Sequence, residues 1–195
     1  MGSLHGQNVV VIGGSRGVGR SIVGAALGEG ATVLAVARGE AALKELSWET
    51  SCVKTLALDA TEETAPDAIF AALEPDVLVI CAGALAPSAP VQEQSWEDFS
   101  VNWEMDVKAS FLFCKAAIQG RLKPGSRVVL ISSGAAFSGG PPNSGGYSGA
   151  KRMQMFLAGH CQKESDRLGL GLRFMALAPA RIMPGTGVGD RGIDG

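Results

Sequence analysis

Asn8-Val9-Val10-Val11-Ile12-Gly13-Gly14-Ser15-Arg16-Gly17-Val18-Gly19-Arg20 begins as a β-branched strand, turns through glycines and enters a helical stretch over 20–29. Glycine suits such a turn because the backbone must bend tightly and come close to a bound pyrophosphate. The helix N-terminus beyond it offers unpaired N–H groups and the positive end of a dipole. The spacing is G-x-x-x-G-x-G rather than the commoner G-x-G-x-x-G, but the order of strand, turn and helix is the required context. Dinucleotide binding is the reading; a glycine-rich turn that binds nothing is the alternative.

Outward from this turn, short apolar runs at 8–12, 32–37, 53–58, 76–81, 127–132 and 172–178 alternate with helical stretches. Most of these runs lack in/out alternation, which suits parallel strands covered on both faces. The intervening segments are long enough for right-handed crossover helices. The expected fold is α/β: a Rossmann-like doubly wound parallel sheet in three α/β/α layers, with residues 1–195 forming a single domain. Stretches rich in Pro, Gly and Ser at 84–90, 134–146 and 179–195 each follow an expected strand. They fall at the carboxyl edge, where open α/β sheets bind ligands.

Composition narrows the partners. The chain has 195 residues, 46% of them hydrophobic, which suits one core. Its 17 basic and 19 acidic side chains are scattered and leave a net charge of -2, so neither nucleic acid nor an anionic membrane is invited. Cys52, Cys81, Cys114 and Cys161 form no C-x-x-C pair, and His5 and His160 have no second ligand at metal spacing. No metal site and no disulfide framework are expected. No run approaches the roughly 18 apolar residues of a membrane span, and the N-terminus shows no secretory pattern. A cytoplasmic protein with a small-molecule ligand is expected.

The second expected strand ends Val36-Ala37-Arg38, where proteins of this fold that prefer NAD usually carry an acidic residue for the ribose 2′-hydroxyl. Ala37 leaves no carboxylate to repel a 2′-phosphate, and the guanidinium groups of Arg38 and Arg16 can clamp one. NADP(H) is therefore the expected cofactor. The alternative is that Arg38 caps a strand end in solvent and Arg16 is ordinary surface.

Tyr147, the chain's single tyrosine, precedes Lys151 by four residues at the start of an expected long helix, so the two share a face. A phenol is a poor acid/base near neutrality until a cation favours its ionised form, and Lys151 is placed to supply that cation. The fifth expected strand ends Ile131-Ser132-Ser133 and delivers two hydroxyls to the carboxyl edge, of which Ser133 is the choice for binding a substrate oxygen. An isolated Y-x-x-x-K is more often an ordinary aromatic and a solvated lysine.

The ordered set of Gly13 to Gly19, Asp59, Cys81-Ala82-Gly83, Ile131-Ser132-Ser133 and Tyr147-Ser148-Gly149-Ala150-Lys151 resembles the short-chain dehydrogenase/reductase family over nearly the whole chain. The resemblance implies an oxidoreductase acting on a small carbonyl or alcohol substrate. Tyr147 would be its general acid/base, Lys151 would favour the phenolate and bind the nicotinamide ribose, and Ser133 would position the substrate oxygen. It implies a cofactor-binding set of Gly13, Ser15, Arg16, Gly17, Val18, Gly19, Arg38, Asp59, Ala82, Gly83, Tyr147, Lys151 and Pro179, with Asp59 contacting the adenine. Asp59 as a plain strand-ending carboxylate stays open.

Three departures accompany the match. Ile80-Cys81-Ala82-Gly83 stands where the family has Asn-Asn-Ala-Gly, so side-chain bonds that brace the central strand are expected to be missing. Asp106 occupies the place of the family's catalytic asparagine, five residues before Phe111, with Asn102 one turn earlier. It either couples to Lys151, or turns to solvent or caps a neighbouring helix. After the sixth strand the chain reads Pro179-Ala180 and stops at Gly195, so the family's further strand and substrate-covering segment look absent, leaving the pocket open and assembly weakened. Trp96, Phe99, Trp103, Phe111 and Phe113 crowd one helical region that Ser95 and Asp98 open as a capping pair. Most are expected in the core. Part of that surface is alternatively a homo-oligomer interface, because the family's matching helix commonly packs against its copy. The competing function is a nucleotide-binding or scaffold protein with the same fold and weak or no turnover.

Overall fold

A computed structural model describes residues 2–50, 52–85, 87–138, 140 and 142–179. Six parallel strands form one sheet in the order β3-β2-β1-β4-β5-β6. They are β1 (Asn8–Ile12), β2 (Thr32–Ala37), β3 (Lys54–Ala57), β4 (Val77–Ile80), β5 (Arg127–Ile131) and β6 (Arg173–Leu177). The helices between them are α1 (Gly17–Gly28), α2 (Glu40–Glu49), α3 (Ala65–Ala72), α4 (Trp96–Asn102), α5 (Lys108–Ala116), α6 (Ala135–Ser138) and α7 (Gly145–Leu168). This is the doubly wound arrangement expected from the alternating runs.

The uniform apolarity of β1 has a direct cause. Val10 and Ile12 pack into one core with Phe113, Leu157 and Cys161, while Val9 and Val11 pack into a second core with Val23, Leu43 and Leu46. Each strand thus feeds two hydrophobic layers, and a polar residue at either parity would be stranded. Burying each Val, Leu or Ile contributes roughly 1.5–3 kcal/mol, so these layers carry most of the favourable term. β3 is an edge and tolerates exposed Lys54 and Thr55.

Strand order reverses between β1 and β4, which pair in register from Val9↔Val77 to Ile12↔Ile80. The crevice at their carboxyl ends is the topological switch point where this fold binds ligands. Gly13, Cys81 and Ser132 therefore converge on one edge.

Two expectations need correction. Only Phe113 of the aromatic group is fully buried; Trp96 is 70% exposed, Phe111 50% and Trp103 37%. Their side chains point outward because α4 and α5 present their opposite faces, with Asn102, Leu112 and Phe113, to the interior. The strand-four loop is not left without side-chain bonds either. Asp106 accepts from the Ala84 N–H at 2.9 Å and Asn102 Nδ2 donates to the Ala84 carbonyl at 2.8 Å, so the brace comes from the helix side.

The Ser95 cap is present, its hydroxyl accepting from the Asp98 N–H at 3.1 Å. Cys114 and Cys161, distant in sequence, are free thiols that lie in the same hydrophobic core, on α5 and α7. The expected absence of a further strand falls on residues 180–195, outside the described residues. No helix among the described residues is long and apolar enough to cross a membrane.

Candidate active site

The glycine turn forms because β1 ends where the chain must avoid the neighbouring strand. Gly13 has φ +83°, and a Cβ there would lie 2.6 Å from the Ala82 nitrogen. Its N–H and that of Gly14 both donate to the Val36 carbonyl, at 2.8 and 3.1 Å, which fixes the turn to β2. α1 then begins with Arg16 at its N-cap, no side-chain cap and no acidic residue in its first turn. Its N-terminal N–H groups and dipole thus face the turn without an internal anion, and the donor set fits a pyrophosphate. Ser15 and Gly19 are buried, Gly17 and Val18 are half-buried, and Arg16 is exposed.

At the end of β2, Arg38 is exposed with its Nη1 3.8 Å from Asp59 Oδ2. Asp59 accepts from both the N–H and the hydroxyl of Thr61, at 2.9 and 2.8 Å. The Thr61 N–H chiefly, with Arg38 adding to it, holds the Asp59 carboxyl below its ordinary range against the opposing effect of burial.

On the other side of the switch point, Tyr147 lies in the first turn of α7. A Cβ at Gly146 would collide with the Phe99 carbonyl, so the Gly145-Gly146 pair lets this turn close on α4. Lys151 follows one turn later, its Nζ 5.8 Å from the Tyr147 ring. The two serines separate: Ser132 is buried and donates to the Lys151 carbonyl at 2.8 Å, whereas Ser133 is half-buried and only accepts from the Ala135 N–H at 3.3 Å. The Pro179 carbonyl ties the same loop by accepting from the Gly134 N–H at 2.8 Å.

Asp106 is fully buried on an irregular, wider helical turn, Trp103–Val107, that joins α4 to α5. Such insertions recur at functional sites. Its Oδ2 lies 3.0 Å from Lys151 Nζ, so the solvent-facing alternative is excluded. That contact is an ion pair without hydrogen-bond alignment, because the aligned donors of Lys151 go to the Ile131 carbonyl at 3.1 Å and to Gln154 Oε1 at 3.0 Å. Gly83 leaves room beside it, since a Cβ there would lie 3.0 Å from Asp106 Oδ2. Burial pushes the Cys81 thiol up; the Lys151 ammonium partly offsets this and Asp106 adds to it.

Asn102, one turn before Asp106, is fully buried and bonds Asp106 Oδ1 at 3.2 Å, whereas two further residues are not singled out by the sequence. Gln154 and Ser110 are also fully buried, and nothing in their spacing distinguishes them from surface amides and hydroxyls. Among the described residues no group of three or more His, Cys, Asp or Glu side chains is arranged to hold a metal.

A glycine turn at the switch point and a Tyr147/Lys151 pair beside it thus share the carboxyl edge of one sheet. Residues 7–188 match the short chain dehydrogenase family model, and the chain belongs to that family. Among its relatives, the 2-keto-3-deoxy-L-fuconate dehydrogenase of Xanthomonas campestris pv. campestris is 32% identical over 184 residues, 92% of this chain and 59% of that protein. The chain thus spans about three fifths of that curated relative's length. A Pseudomonas aeruginosa RhlG/NADP active-site complex superposes with a TM-score of 0.82 at 25% identity, covering 93% of this chain and 75% of that one.

Proposed function

We propose that the protein binds NADP(H) and interconverts a small carbonyl compound and its alcohol, with Tyr147 as the proton donor and acceptor. The cofactor would supply or take up the hydride. The observation that carries this reading is the position of the Lys151 ammonium 5.8 Å from the Tyr147 ring at the sheet's carboxyl edge. In reduction, the Tyr147 hydroxyl gives its proton to the substrate oxygen, and the ammonium stabilises the phenolate left behind. In oxidation, the phenolate takes the proton back. Ser133, whose oxygen accepts from the Ala135 N–H and whose own O–H is not used in that contact, orients the substrate oxygen by donating to it.

The glycine turn and the uncapped start of α1 hold the pyrophosphate, and Arg16 and Arg38 hold the 2′-phosphate. Arg38 also faces Asp59, which tempers its charge. The NADP named for the Pseudomonas structure agrees with this preference. The test is titration with NADPH and NADH, followed by a substrate panel of ketones, aldehydes, secondary alcohols and 2-keto-3-deoxy-L-fuconate, read by nicotinamide absorbance. NADPH should bind more tightly, and Arg16→Ala with Arg38→Ala should erase the preference. Equal affinities would overturn the NADP assignment.

A second reading, nucleotide binding with little turnover, is favoured by Asp106, which pairs with the ammonium that the mechanism uses. Cofactor binding without activity across the panel would select it. In either reading the protein assembles with a second copy through the exposed aromatic face of α5 and α7.

A further inference from the structure

A carboxylate oxygen 3.0 Å from a buried ammonium normally captures one of its N–H bonds. Here Asp106 Oδ2 does not, and it is left without a hydrogen bond although fully enclosed. The reason is competition. Two neutral acceptors from other elements, the Ile131 carbonyl of β5 and Gln154 Oε1, take the aligned donors of Lys151 at 3.1 and 3.0 Å. The Ile131 carbonyl belongs to the strand and any residue there provides it. The second acceptor is a side chain, that of Gln154, and its amide is fixed at the other end. Nε2 donates to Ser110 Oγ at 2.9 Å and reaches the Asp106 carbonyl at 3.4 Å, while Ser110 Oγ donates to that same carbonyl at 2.7 Å. Lys151, Gln154, Ser110 and Asp106 are all buried, so each of these bonds is made where water cannot replace it.

We propose that Gln154 is a positioning residue that aims the N–H bonds of Lys151 away from Asp106, which stays at ion-pair distance, and so keeps the remaining N–H available to Tyr147 and the cofactor's nicotinamide ribose. A lysine has three donors, and two are spent on Ile131 and Gln154. Without Gln154 the ammonium turns onto Asp106, whose orphan oxygen gains the aligned bond. Tyr147 then feels less positive charge, and the ribose loses a donor. Tyr147 on the same helix, Asp106 and the Cys81 thiol are the titratable groups facing this ammonium.

The inference rests on the roles of Tyr147 and Lys151 given above, and the experiment separates the two. Gln154→Met keeps the length and removes the acceptor. The alkaline activation of alcohol oxidation should move up by about half to one pH unit. Affinity for NADP+ should fall roughly three- to tenfold, as expected for one lost hydrogen bond, while adenosine 2′,5′-bisphosphate, which lacks the nicotinamide ribose, binds as before. Both effects should shrink when Asp106→Asn is already present, because a neutral amide competes less for the ammonium's N–H bonds than a carboxylate does. Unchanged profile and affinity in Gln154→Met, or equal effects with and without Asp106→Asn, would overturn the proposal. If Gln154→Met does not fold, Ser110→Ala loosens the amide from behind and should shift the profile in the same direction; an unshifted profile there is equally fatal. Turnover retained in Tyr147→Phe would instead refute the functional reading itself.

Discussion

Asp106 forms a buried ion pair with Lys151 at 3.0 Å. In the proposed mechanism a carboxylate beside the ammonium would cancel part of the positive field at the Tyr147 hydroxyl. Removing it should strengthen that field. Asp106→Asn is therefore expected to move the activation of alcohol oxidation to lower pH, with equal or higher activity near neutrality, in a pH–rate profile of both forms. Superimposable profiles would mean that the pair is electrically silent, and movement to higher pH would reverse the sign of the argument. Tyr147→Phe removes only the hydroxyl, so turnover should fall by roughly 10² to 10⁴ while cofactor affinity measured by fluorescence titration changes little.

Elements meet through single polar contacts that bear on stability. Asp76, just before β4, accepts from the Asn8 N–H at 2.8 Å and pairs with Lys123 at 2.6 Å, joining β1, β4 and the approach to β5. The Asn8 N–H first, then Lys123, holds its carboxyl below the ordinary range. A carboxyl with a depressed folded-state value stabilises above its unfolded value of about 3.9, and that contribution is lost as pH falls through the folded value. Asp76→Asn should therefore lower stability at neutral pH and flatten its dependence on pH in the acid limb, read from urea midpoints at several pH values. At the start of α4, the Ser95 hydroxyl satisfies the Asp98 N–H, and Ser95→Ala should cost about 1 kcal/mol in the same assay.

Across the whole molecule, the surface left by α5 and α7 is unusually aromatic for a face exposed to water. Phe111 is 50% exposed and Phe156 65%, and the Trp103 indole lies 3.4 Å from a Cβ position at Gly149 of α7. Covering these rings removes apolar area from water, and a copy of the same face is self-complementary about a two-fold axis. Phe156→Lys with Phe111→Lys should shift the protein to monomer in sedimentation without lowering its melting temperature by more than a few degrees. Unaltered sedimentation would place the interface elsewhere.

Strand positions, the glycine turn and the four-residue step from Tyr147 to Lys151 were all legible in the chain, because each is a local pattern: apolar runs, φ-permissive residues, one helical turn. The expected strand 172–178, for example, differs from β6 only at its ends. The outward placement of Trp96 and Phe111 was not legible, since a rotation of α4 and α5 decides which face is covered. Nor was the set of Asp106, Asn102, Ser110 and Gln154, whose members meet only when α7 packs across the turn between α4 and α5. Sequence by itself determined the family and the sheet; only the tertiary structure decided what surrounds Lys151, because burial and charge pairing depend on contacts between segments that no local pattern encodes.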